Sequence, residues 1–159
     1  MHFPNISFDS NPDVDRFIRK WYSGILEVMD EFPLVSHEYR FLWLRTSHSP
    51  VMVRLDESSL LLKELDGKGG YNPGKLSKRM TKDLSHADWQ SYLSLLDRTQ
   101  FWHMPATDGR SGLDGSRWLL EGYRENYHAV SRWSPGDGDF RSVCLAMLDL
   151  TGKRFEPIY

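Results

Sequence analysis

The sequence predicts a single α+β domain over residues 1–159: an antiparallel sheet of five to six strands, a meander plus a C-terminal hairpin, packed with three helices. Three observations carry this expectation. Strand-like runs cluster in hairpins and do not alternate regularly with helices, which favours an antiparallel sheet over a doubly wound parallel one. Three other segments carry apolar residues at helical spacing. The chain has 159 residues, 40% of them hydrophobic, which suits one compact core.

The first helix starts at Asn11-Pro12, an N-cap followed by proline at the first helical position, with Asp13 and Asp15 where the helix dipole favours negative charge. Val14, Ile18, Trp21, Ile25 and Met29 fall near one stripe, widened by Phe17, Leu26 and Val28, until Pro33 forbids continuation. Gly24 inside that stripe costs about 1 kcal/mol relative to alanine, and tight packing against a neighbour is its expected reason. From Tyr39 the pattern becomes YRFLWLRT, the turn SHSP, VMVRL, the turn DESS and LLLKELDG, a three-stranded meander over residues 39–66. The glycine-rich GKGGYNPGKL follows as a loop, and KLSKRMTKDL, which fits either a polar edge strand or a short helix, is read as the strand.

Ser85 and Asp88 form an S-x-x-D capping box, and Trp89, Tyr92, Leu93 and Leu96 give the spacing of a second helix, closed by FWHMP. The loop TDGRSGLDGS leads to RWLLEG and YHAVSRW, two strands joined by YREN. A third helix spans Phe140 to Leu148, with Gly152 as its stop. Cys144, the only cysteine, lies on that helix's apolar face with no flanking histidine or basic cluster, so it is expected to pack and not to react. A lone cysteine also excludes an internal disulfide.

Charge and hydropathy narrow the function classes. Net charge is −2, from 20 basic and 22 acidic residues without like-charge runs, which disfavours nucleic acid as a partner. No run approaches the roughly 20 apolar residues that span a bilayer, and the N-terminus lacks a secretory pattern, so no membrane and a cytoplasmic location are expected.

Several motifs invite chemistry. GGYNPGK, Gly69 to Lys75, has G-x4-G-K spacing, yet Leu76 replaces the magnesium-holding hydroxyl residue and Pro73 removes an amide donor, so a glycine-rich connection is expected and no nucleotide. If YREN is a four-residue loop, Glu121 lies opposite His128 and Leu119 opposite Val130, with Arg117 and Arg132 further along that face. Trp118, Leu120, Tyr127, Ala129 and Trp133 would form the other face, the core. Glu121, His128 and Arg132 are then a candidate acid/base site; a cross-strand polar pair is the plainer reading. The six histidines lack metal-ligand spacing, Asp108 and Asp114 read as turn residues, and no G-x-S-x-G elbow occurs. Neither a metal nor a cofactor is expected. Six tryptophans exceed what such a core requires, and Trp43, Trp102, Trp118 and Trp133 are the candidate partner-binding anchors.

The segments GGYNPGKL, LSHADWQSYLSLLDRTQFWHMP, GLDGSRWLLEGYRENYHAVSRWSP and CLAMLDLTG together resemble a family of small bacterial proteins of uncharacterised function, over roughly residues 60–152. The resemblance implies a free-standing or lipoprotein-like bacterial domain and carries no catalytic residue; the N-terminus shows no lipoprotein signal. The leading functional expectation is a non-catalytic protein-binding domain of the immunity or antitoxin kind, its partner a cognate toxin. The rival is a small enzyme or ligand-binding domain around Glu121, His128 and Arg132, and the third a purely structural subunit.

Overall fold

The computed structural model describes residues 2–159. Helix α1 spans Pro12–Val28 and is followed by the meander β1 (Glu38–Arg45), β2 (Val51–Leu55), β3 (Ser59–Leu65) and β4 (Leu76–Asp83). Helix α2 (His86–Arg98), a short 3-10 turn at Phe101–His103, the hairpin β5 (Ser116–Tyr123) and β6 (Tyr127–Trp133), and helix α3 (Asp139–Leu150) complete the chain. The six strands form one antiparallel sheet in the order β4-β3-β2-β1-β5-β6. The α+β class, the meander, the β4 strand and all three helices therefore stand as the sequence predicts.

Helices cover both faces of the sheet. Ile18, Tyr22, Ile25 and Leu26 of α1, with Phe3 and Phe8 from the N-terminal segment, pack on Leu42, Leu44, Met52, Leu61, Leu119 and Ala129. On the opposite face Trp89, Tyr92 and Leu96 of α2 and Val143, Cys144 and Met147 of α3 pack on Phe41, Trp43, Val53, Leu62, Trp118 and Val130. This two-sided burial leaves no strand of the centre with a solvent face, and every residue of β1 is buried.

The caps follow their local chemistry. Asn11 Oδ1 accepts from the amides of Asp13 and Val14 at 2.9 and 3.4 Å, and Ser85 Oγ from that of Asp88 at 3.0 Å. Gly152 follows α3 at φ +72, the left-handed position that suits glycine.

Three local expectations need correction. Helix α1 ends at Val28 with Asp30 at φ 55, ahead of Pro33, because Lys63 Nζ takes its terminal carbonyls, Met29 O at 2.7 Å and Asp30 O at 3.1 Å. Its inward stripe contains Tyr22, while Val14, Phe17 and Val28 face solvent. Gly24 packs tightly on nothing: a Cβ there meets no atom of another element within 4 Å.

The C-terminal hairpin has a three-residue loop, Arg124–Asn126, because Tyr123 and Tyr127 pair. Glu121 consequently lies opposite Ala129, Gly122 opposite His128, and Leu120 opposite Val130. A one-residue slip exchanges the faces of a strand. Glu121, Tyr127 and Ala129 thus face α1, whereas Trp118, His128 and Arg132 face α2 and α3.

Under α1 lies a buried charge network. The Arg40 guanidinium grips Glu121 through two bonds, Nε to Oε2 at 2.6 Å and Nη2 to Oε1 at 2.9 Å, and donates to Phe32 O at 2.7 Å. Tyr127 Oη donates to Glu121 Oε1 at 2.8 Å. Glu31 receives Lys63 Nζ at 2.6 Å, with Arg40 Nη1 at 3.4 Å and Arg54 Nε at 3.2 Å, and Arg54 also pairs with Glu38 at 3.3 Å. Burial opposes the Arg40 charge, but the Glu121 carboxylate and its hydrogen bonds outweigh it and hold the group above its ordinary pKa. Burial, then Glu121, pushes the Tyr127 phenol far up, so it stays a neutral donor. Glu121→Gln takes from Arg40 the nearer of its two carboxylates, leaving only Glu31 at 3.4 Å, and is expected to cost about 3 kcal/mol in urea denaturation. Arg54→Gln, at a side chain 37% exposed, should cost under about 1 kcal/mol; equal losses would contradict this network.

Candidate functional site

The register separates the residues expected to form an acid/base site. Glu121 is fully buried in the network beneath α1, with the sheet between it and His128. His128 and Arg132 fasten the segment after the 3-10 turn to the sheet edge: His128 Nε2 bonds Met104 O at 3.0 Å and Arg132 Nη2 donates to Pro105 O at 2.8 Å. The Ser131 amide donates to Ala106 O at 2.8 Å, so β6 is a covered edge.

The four candidate tryptophan anchors also divide. Trp43 and Trp118 have no exposed surface; both indole N–H groups donate to Tyr159 O at 3.0 Å, and they present nothing to a partner. Trp102 and Trp133 are half-buried. Trp102 packs on Phe101 and Tyr39, while Trp133 takes Arg117 over its ring, 5.5 Å from the centroid.

Another tryptophan, assigned by periodicity to the core stripe, lies at the margin of that stripe. Trp21, half-buried and packed against the core under α1, also stacks on Tyr71 of the β3–β4 loop with ring centroids 5.0 Å apart and planes at 11°. Its Nε1 donates to Gly70 O at 3.0 Å. Gly70 is required here, since a Cβ would fall 2.5 Å from the indole. Phe17, 54% exposed, packs on the other side of Trp21, and Tyr71 is 65% exposed.

These rings border an open cleft of about 420 Å³, lined by Phe17, Trp21, Ile25, Gly70, Tyr71 and Pro73, with Gly24 also on its wall and Lys20 its one charged side chain. Gly24 leaves room that any larger side chain would fill. A glycine in a helix interior costs about 1 kcal/mol relative to alanine, and no packing contact offsets that cost here. The apolar arc of α1 is wider than the sheet covers, and the surplus at its Phe17–Trp21 margin, with a glycine beside it, was the available signal.

The β3–β4 loop that supplies Tyr71 is closed on itself. The amides of Gly67, Lys68 and Asn72 donate to Pro73 O, Asn72 O and Gly69 O, that of Gly70 to Arg45 O, and that of Lys75 to Asp66 Oδ1 at 2.8 Å. Those donors are occupied by the loop's own structure and do not converge on a phosphate, as the glycine-rich-connection reading expected.

No family model matches the chain, and neither does any curated protein. Among the described residues no helix is long and apolar enough to cross a membrane, and no group of three or more His, Cys, Asp or Glu is placed to hold a metal ion. Cys144 is fully buried, and burial pushes its thiol well up.

Burial holds His128 below the ordinary histidine pKa despite the hydrogen bonds to Met104 and Phe101 carbonyls, and it lowers His2 and His37 in the same direction. The unfolded chain then binds more protons than the fold once pH drops through the ordinary value of about 6.5. Stability should be complete above that pH and decline from pH 7 to pH 5 in urea midpoints, with a shallower decline in His128→Gln. A midpoint that rises on acidification contradicts this assignment.

Proposed function

We propose that this chain is a non-catalytic protein-binding domain of the immunity or antitoxin kind, acting in the cytoplasm and neutralising a toxin by covering it with the surface where the flank of α1 meets the β3–β4 loop. The observation that carries the reading is the aromatic cleft of Phe17, Trp21 and Tyr71 around Gly24. Large aromatic rings held rigidly at a surface supply contact area at small entropic cost and dominate protein interfaces. Trp21 is held by Tyr71 and by Gly70 O before any partner arrives. The complementary feature is an apolar side chain seated above Gly24 beside a carboxylate that reaches Lys20. A sheet buried on both faces supplies the stiff support such a surface needs.

The reading is tested by affinity capture from the native host with wild type, Tyr71→Ser and Gly24→Leu, each first shown to melt cooperatively. Tyr71→Ser removes an exposed ring and Gly24→Leu fills the cleft, so both should lose at least about tenfold of one specific co-purifying toxin. Equal recovery of that partner by all three proteins, or capture of no toxin, sinks the proposal.

A further inference from the structure

The two edges of the sheet are treated differently. The β6 edge is covered by residues 104–106, whereas β4 pairs with β3 alone, and seven of its eight residues are exposed, with Met80 between exposed and buried. The Leu84 amide donates to Ser58 O at 2.9 Å. By the two-residue alternation of an antiparallel ladder, the amides and carbonyls of Arg79, Thr81 and Asp83 then point to the open side, up to the register shift at Glu64/Leu65 that leaves Ser77 outside the ladder. Strand β4 and the residue before its start carry Lys75, Lys78, Arg79 and Lys82 against the single carboxylate Asp83. None of these four cations forms an ion pair among the described residues.

From this edge we infer a second interaction surface: β4 accepts an extended, acidic peptide segment of a partner protein as a seventh strand. Main-chain bonds along an open edge supply affinity in strand addition, and side-chain charge supplies selectivity. A second copy of this chain is a poor occupant, because antiparallel self-pairing centred on Met80 sets Lys78 opposite Lys82, and lysine-rich edges avoid self-association by such repulsion. The same charges favour a strand that alternates glutamate or aspartate with apolar residues, its carboxylates on the side of Lys78 and Lys82, which flank Met80 on one face of β4 while Arg79 lies on the other. This surface is independent of the aromatic cleft and stands or falls separately from it.

The test is amide hydrogen exchange by NMR on the full chain with a blocked octapeptide alternating glutamate and valine, and with its lysine-valine counterpart as control. The acidic peptide should slow exchange at Arg79, Thr81 and Asp83 by about tenfold or more, and the lysine peptide should not. Lys78→Glu/Arg79→Glu/Lys82→Glu should reverse that preference. Thr81→Pro removes an outward amide that the β3 ladder does not use, so it should melt like wild type and lose the protection. If Thr81→Pro melts early, that ladder assignment is wrong and the inference falls. Absence of protection, equal protection by both peptides, or protection that survives charge reversal also overturns it.

Discussion

The structure depends on a buried, balanced set of charges beneath the C-terminal end of α1. Arg40, Lys63 and Arg54 face Glu121, Glu31 and Glu38, three positive against three negative, drawn from β1, β2, β3, β5 and the segment after α1. Desolvating ions offsets much of their mutual attraction, so such a network contributes modestly to net stability; what it imposes is geometry, because any arrangement that separates one partner leaves a bare charge in the interior. Arg40 can meet Glu121 only if β5 lies beside β1 in the observed register, and Lys63 can meet Glu31 only if α1 stops where it does. The Met29 and Asp30 carbonyls, left open by the end of the helix, are satisfied by the same lysine.

That constraint decides what the surface displays. Once the end of α1 is fixed over β3, Ile18, Tyr22, Ile25 and Leu26 turn toward the sheet, and Trp21, at the margin of that packing, meets both Phe17 and Tyr71. The loop that brings Tyr71 there is held by its own backbone bonds and by the close approach of Gly70 to Trp21. Two open features result, an aromatic cleft on one face and a cationic strand edge, while the polar residues that suggested catalysis are engaged as fasteners.

Most of the architecture was legible in the chain. Asn11-Pro12, the Ser85 cap, the turns of the meander and Gly152 each act locally, and each is found where its residue chemistry puts it. KLSKRMTKDL fits a strand or a short helix by itself, and the strand forms because an edge position tolerates polarity on both sides. What failed was set by long-range pairing. YREN is compatible with a three- or a four-residue loop, and only the packing of Tyr123 against Tyr127, with Glu121 drawn to Arg40, selects between them. The apolar arc of α1 is broad, so periodicity could not say which of its margins the sheet leaves uncovered. A usable signal was present in Arg40, Lys63 and Glu121, charged residues inside apolar strand runs, where a solvent-facing position conflicts with the neighbours on either side.

The central claim, that this network clamps α1 to the sheet as a distinct unit, is tested most directly by native-state hydrogen exchange in Lys63→Met. Removing this lysine frees the Met29 and Asp30 carbonyls and leaves Glu31 short of positive charge. The account requires that amides of α1 lose protection together and well ahead of those in β1, β2 and β5. Loss of protection spread evenly over helix and sheet, or α1 amides that exchange as in the wild type, would contradict it.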